Sequence, residues 1–141
     1  MSKNVLSAVY NVIPFKQVGP LKFGMSRADV LAILGPVDQE SKTYRGGGIV
    51  EMRKNISTIY KNDKLNEVTF SPGVKVMLDG HSLLRQDGVN YLLEAYEHQS
   101  DDVGYTVFPT LGIGFTGFGK SKDAKVIMVF NKAILKRYLT P

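Results

Sequence analysis

Residues 114–121 read GFTGFGKS, which fits the phosphate-loop pattern GxxxxGK[ST] at every fixed position. In such a loop, backbone N–H groups wrap the phosphates and a lysine, here Lys120, neutralises the outer one. A hydroxyl, here Ser121, ligates magnesium, and a helix immediately after it aims its N-terminus at the anion. Ser121 leads instead into Lys122-Asp123-Ala124-Lys125 and then Val126-Ile127-Met128-Val129-Phe130, an apolar run of strand length. That leaves no long helix, and no room for a crossover with a metal-binding aspartate downstream. The expectation is a glycine-rich hairpin that matches by accident, with no cofactor.

Two other groupings invite a chemical reading. Glu94 and His98 stand four apart on a predicted helix, a spacing that puts both on one face, where they can hold a metal or exchange a proton. Zinc and harder cations want more ligands than this pair, and the only other histidine is His81. A histidine near a helix C-terminus is also favourable through the helix dipole alone. Asp79, His81 and Ser82 contain the residue types of a nucleophilic triad. Alternate strand residues share a face, however, so the serine points away from the other two. The sequence contains no cysteine, which removes thiol nucleophiles, Cys-based zinc sites and disulfides and suits a reducing cytoplasm. No catalytic, cofactor-binding or metal residue is assigned, and the chain is read as a non-enzyme.

The elements that carry these residues are marked unevenly. Ser26, with Asp29 three residues on, forms an acidic variant of the capping box. Val30, Leu31, Ile33 and Leu34 then make a helical face that Gly35-Pro36 stops. A second helix is read from Asp87 as N-cap through Val89, Leu92, Leu93 and Tyr96. Residues 56–60 and 65–70 are β-rich and joined by Lys61-Asn62-Asp63-Lys64, so they form an antiparallel hairpin. Shorter strands are expected at 5–15, 49–52, 74–78, 105–108 and 111–115, and a fully buried central strand at 126–130. The polar stretch 37–44 is read as an approach to the glycine triplet 46–48. No internal repeat is visible. The fold class is α+β: a mostly antiparallel sheet of about six or seven strands with two main helices packed on it, in one domain spanning 1–141.

At 43% hydrophobic and 22% charged residues, the 141-residue composition is ordinary globular. No stretch approaches a membrane span and the N-terminus lacks a signal-peptide core, so the expected location is the cytoplasm. The net charge of +5 is concentrated: Lys120, Lys122, Lys125, Lys132, Lys136 and Arg137 face only Asp123 in the C-terminal fifth, while the rest of the chain is balanced. If they share a face, they make a positive field suited to an acidic partner. Tyr105, Phe108, Phe115, Phe118 and Phe130 lie around this region. Base-stacking platforms mix aromatics and cations in this way, but period-2 placement assigns most of these rings to the core.

The run Phe15-Lys16-Gln17-Val18-Gly19-Pro20-Leu21-Lys22-Phe23-Gly24-Met25-Ser26, leading into Val30-Leu31-Ala32-Ile33-Leu34-Gly35, resembles the opening of small bacterial immunity-type proteins encoded beside polymorphic or contact-dependent toxins. Residues 107–115, with 126–132 behind them, are similar to the second half of those proteins. The resemblance covers most of the chain through structural motifs. It implies a protein that binds its cognate toxin domain by surface complementarity, without itself marking a site; the clustered charge of Lys120, Lys122, Lys125, Lys132, Lys136 and Arg137 makes these six the expected interface residues. The stretch 24–35 is also similar to a segment of small outer-membrane assembly lipoproteins, whose lipidated cysteine this sequence lacks. A basic nucleic-acid-binding module and a small phosphate- or nucleotide-binding protein are the alternatives.

Overall fold

The computed structural model describes residues 9–42, 48–100, 105–116 and 126–135. The chain opens with strands β1 (Val9–Ile13), β2 (Gln17–Val18) and β3 (Leu21–Lys22), which lead into helix α1 (Arg27–Leu34). A four-stranded meander comes next: β4 (Gln39–Lys42), β5 (Ile49–Arg53), β6 (Ile56–Lys61) and β7 (Lys64–Phe70). The order then starts again with β8 (Lys75–Leu78), β9 (His81–Ser82) and α2 (Gln86–Ala95). A second meander completes it: β10 (Gln99–Ser100), β11 (Thr106–Phe108), β12 (Ile113–Thr116) and β13 (Val126–Phe130).

The two meanders join through their last strands into one eight-stranded antiparallel sheet, ordered β10-β11-β12-β13-β7-β6-β5-β4. The leading strands form a five-stranded sheet, β3-β2-β1-β8-β9, in which β1 and β8 run parallel. The architecture is therefore an internal duplication of hairpin, helix and meander that sequence reading does not reveal. The repeat lives in backbone pairing, and corresponding positions carry different side chains.

The fold class is α+β with two helices and mostly antiparallel pairing, as expected. The expected six or seven strands in one sheet become thirteen in two sheets among the described residues. Four of the additional strands are two-residue ladders, too short to produce any hydrophobic period. A fifth, β4, reads Gln-Glu-Ser-Lys because it is the outer edge of the large sheet and buries nothing.

Helix α1 begins where the sequence places it. The Ser26 hydroxyl accepts from the Asp29 N–H at 3.1 Å and the Asp29 carboxylate accepts from the Ser26 N–H at 3.3 Å, completing the capping box. Gly35 ends the helix at φ 86°, a left-handed conformation that a side chain would strain. Asn62 and Asp63, at φ 53° and 59°, make the tight turn between β6 and β7. Both helices bury their apolar residues, Val30 and Leu34 from α1 and Val89 and Leu92 from α2, in one core beneath the large sheet. Strand β13 is central, buried from Ile127 to Phe130 and flanked by β12 and β7.

Candidate functional site

Strand register assigns each residue of the large sheet to a face. One row on the core side reads Phe108, Ile113, Val129, Val68, Thr58, Glu51 and Glu40 across neighbouring strands. Under the duplication, Phe108 and Ile113 correspond to Glu51 and Thr58. The second half thus fills this position with apolar groups, Phe108 meeting Phe115 edge to face at 5.5 Å, and the first half fills it with a polar network.

That network is closely connected. Arg27 Nε donates to Glu51 Oε2 at 2.9 Å, and Tyr60 Oη donates to Glu51 Oε1 at 2.8 Å. Because the Tyr60 proton goes to the carboxylate, Thr58 donates its own hydroxyl to Tyr60 at 2.9 Å. Thr58 in turn lies 3.4 Å from Arg53 Nη1, which donates to it. Arg53 Nε donates to the Gly35 carbonyl at the end of α1, and Arg27 reaches out to Glu40 on β4. Glu51 and Arg53 have side chains only 5% exposed and an N–O separation of 3.6 Å. Burial, reinforced by the bond to Glu51, pushes the Tyr60 phenol up to about 12. The bond to Glu51 also raises the Arg27 guanidinium. The network locks α1, β5 and β6 together, so the opposite face of these strands is a rigid surface.

On that opposite face, the rows Met52-Ser57-Thr69 and Val50-Ile59 lie half-exposed. The corresponding part of the second half, Val107, Met128 and Phe130, is closed by Ile134 and flanked by Leu135. The large sheet therefore has one sealed and one open half on its outer side.

The second polar assembly lies on the β8–β9 hairpin and α2. Asp79 sits in the turn at φ 52°, and its Oδ2 accepts from Tyr91 at 2.8 Å and from Tyr96 at 2.6 Å. His81 stacks on the Tyr91 ring at 3.8 Å between centroids. The Tyr96 bond, then the Tyr91 bond, holds the Asp79 carboxyl below its usual value. Donation to Asp79 raises Tyr91 and pushes Tyr96 up to about 12. A general base works best with a pKa near the operating pH, and Asp79 is displaced the other way. Ser82 pairs in register with Met77, whereas His81 pairs with Leu78, so the serine faces away from the cluster as its alternation requires. Ser82 instead lines an open cavity of about 350 Å³ with Pro72, Leu84, Lys75 and Arg85.

This cluster has a spectroscopic signature. Asp79→Ala should bring the Tyr96 phenol down from about 12 towards the ordinary value of about 10 and lower Tyr91 with it, both read in a phenolate absorbance titration in which Tyr96→Phe identifies the Tyr96 component. Linkage sets the sign. With the Asp79 pKa depressed by folding, its stabilisation is present above about pH 3.9 and is lost as pH falls through the folded value. An unchanged titration in the variant would show that the two hydroxyls do not depend on this carboxylate.

The remaining sequence candidates divide. His98 lies beyond the end of α2, which closes at Ala95 with an extended Tyr96 cap, so Glu94 and His98 do not share a helical face. His98 Nδ1 lies 3.1 Å from the Tyr96 carbonyl instead. The helix starts at Gln86 with Arg85 as N-cap, two residues before the expected Asp87 cap, whose carboxylate accepts from the adjacent Gly88 N–H. Phe108, Phe115 and Phe130 are buried, as expected for core rings, and Tyr105, just before β11, is exposed. Of the glycine-lysine pattern, Gly114 to Thr116 belong to β12, which pairs antiparallel with the next strand, and Gly117 to Ser121 lie outside the described residues. Of the six interface cations, Lys132 is exposed, its ammonium 5.6 Å from the Phe15 ring centroid beside the β1–β2 turn. Lys120, Lys122, Lys125, Lys136 and Arg137 lie outside the described residues.

No family model, curated protein or solved structure matches the chain. Among the described residues, no three histidine, aspartate or glutamate side chains group as metal ligands, and no helix is long and apolar enough to cross a membrane.

Sequence reading missed the Arg27-Glu51-Arg53 network and the two tyrosines on Asp79. The first left a trace: Glu51 and Arg53 occupy alternate positions of one strand, in phase with Thr58 and Tyr60 of the next. Tyr91 and Tyr96 left none, because five residues along α2 do not bring two side chains to one point. The extended cap at Tyr96 does that.

Proposed function

We propose that this chain is a partner-binding protein of the immunity type, which holds a cognate toxin domain in the cytoplasm and neutralises it by covering its working surface. The observation that carries this reading is the open outer half of the large sheet. Val50, Met52 and Ile59 alternate there with Ser57 and Thr69, beside one buried carboxylate, Glu67, in the row of Ile59, on a surface fixed from behind by the Glu51 network. Interface cores combine apolar and neutral hydrogen-bonding groups in this way, with few charges, and rigidity lowers the ordering cost of association. Neutralisation by occlusion requires complementarity and no chemistry. The cysteine-free sequence suits a reducing compartment.

The test is protection of cells producing the toxin domain encoded next to this chain, with co-purification as the physical readout. Wild type should protect and co-purify. Met52→Asp/Ile59→Asp should do neither while keeping its melting temperature, because both side chains are already half in water. Full protection by the double variant would remove this face from the interface, and failure of wild type to bind any neighbouring toxin domain would remove the reading.

A further inference from the structure

The outer face of the five-stranded sheet has a different chemistry. Residues Val9, Asn11 and Ile13 of β1 point outward in strict alternation with buried Tyr10 and Val12. Register places Lys75 beside Val9, Met77 and Ser82 beside Asn11, and Gln17 and Lys22 beside Ile13. Val9 and Ile13 are 47% and 45% exposed, two of the largest apolar exposures among the described residues. Neither stands at a sheet margin, since β1 is the middle strand.

The charges on this face have one sign. None of the side chains that the ladder places there is a carboxylate, whereas Lys22 and Lys75 are exposed at its two ends and Arg85 borders the cavity beyond Lys75. The two nearest carboxylates along this hairpin and helix differ in availability. Asp79 is turned to Tyr91 and Tyr96 on the other side of the hairpin. Asp87 lies 3.6 Å from Arg85, but both side chains are more than 70% exposed, so that pair is weak and readily exchanged. Val9, Ile13 and Met77 around Asn11, flanked by Lys22, Lys75 and the weakly paired Arg85 and with a cavity at one end, are complementary to an extended segment of alternating apolar and acidic residues.

We infer that the outer face of the five-stranded sheet is a docking surface for an acidic amphipathic segment of a partner protein, with Val9, Ile13 and Met77 taking its apolar side chains and Lys22, Lys75 and Arg85 its carboxylates. The surface lies on a different sheet from the one assigned to toxin occlusion, and its test does not pass through a toxin.

The probe is a soluble synthetic peptide of alternating glutamate and leucine, with an alternating lysine and leucine peptide as the charge-reversed control. The full chain should bind the acidic peptide saturably, with amide shifts concentrated at residues 9–13, 75–77 and 82–85, and should not bind the basic one. Lys75→Glu/Arg85→Glu should weaken binding by about tenfold or more, and rising salt should weaken it in wild type. Val9→Ser/Ile13→Ser should weaken it without steepening the salt dependence. All four positions are exposed, so both double variants should melt with wild type. Equal binding of the two peptides, shifts confined to β5–β7, unchanged affinity in the charge-reversed variant, or occupation of the face by a second copy of the chain would each overturn the assignment.

Discussion

Glu51→Ala should cost the protein about 3–5 kcal/mol, the usual consequence of removing one partner from a buried ion pair. The change leaves Arg53 nearly as buried as before, without its carboxylate. Its remaining bonds, to the Gly35 carbonyl and the Thr58 hydroxyl, are to neutral acceptors. Tyr60 loses its acceptor at the same time. Arg27 suffers least, because it is about one-third exposed and keeps Glu40. For a chain of this size the loss corresponds to roughly 10–15 °C in Tm, measurable by calorimetry. The companion experiment separates an uncompensated charge from poor packing. Glu51→Leu/Arg53→Met/Tyr60→Phe removes the whole set and should recover most of the loss, since apolar replacement of a buried ion pair is often neutral or better. The duplicated half shows that this row tolerates apolar filling, with Phe108 and Ile113 at the matching positions. A Glu51→Ala variant within about 1 kcal/mol of wild type would mean that the network behaves as a surface pair. The pH dependence has a definite sign. Folding raises the Tyr60 pKa, so the stabilisation is complete below about pH 10 and is lost as pH rises towards about 12.

How much of this was legible in the sequence depends on where each signal resides. The start of α1 is written in Ser26 and Asp29 and its end in Gly35, because capping is local chemistry between residues three or four apart. The β6–β7 hairpin is written in Asn62 and Asp63, which tolerate positive φ, and the burial of β13 in its unbroken apolar run. The pairing of β7 with β13, and of β1 in parallel with β8, is backbone bonding between segments about 60 residues apart and leaves no mark in composition. The polar network is legible only in the shared phase of Glu51, Arg53, Thr58 and Tyr60, and the rest is hidden for a related reason. Arg27 stands 24 residues from Glu51 and is indistinguishable in sequence from any solvated arginine in a first helical turn. The C-terminal charge excess is the converse case. It is conspicuous in the sequence, yet only Lys132 of the six falls within the described residues, so the surfaces proposed for binding rest on other side chains.

Gly88→Ala should be strongly destabilising even though helix propensity alone favours it. Exchanging glycine for alanine inside an exposed helix typically gains about 1 kcal/mol, and Gly88 lies in the first turn of α2. Its Cα, however, faces the β9 backbone. A methyl group there would overlap the Ser82 carbonyl oxygen, sit 2.6 Å from the Ser82 carbonyl carbon and reach within 3.3 Å of the Leu83 Cα. These are main-chain atoms in a strand paired with β8, so no rotamer change relieves the contact and α2 must lift from the hairpin. Overpacking typically costs about 1–3 kcal/mol, and a main-chain contact that no rotamer relieves belongs at the upper end of that range, which reverses the sign set by propensity. The same displacement would move Tyr91 and Tyr96 away from Asp79, since both hydroxyls reach it from α2 and its cap. Two readouts should therefore change together: a lower Tm, and a Tyr96 titration returned towards the ordinary phenol range. Asn90→Ala, on the exposed side of the same helix where the side chain accepts from Gln86, should leave both almost unchanged. A Gly88→Ala variant that melts above wild type would show that the close approach of α2 to β9 is not what positions the aromatic cluster.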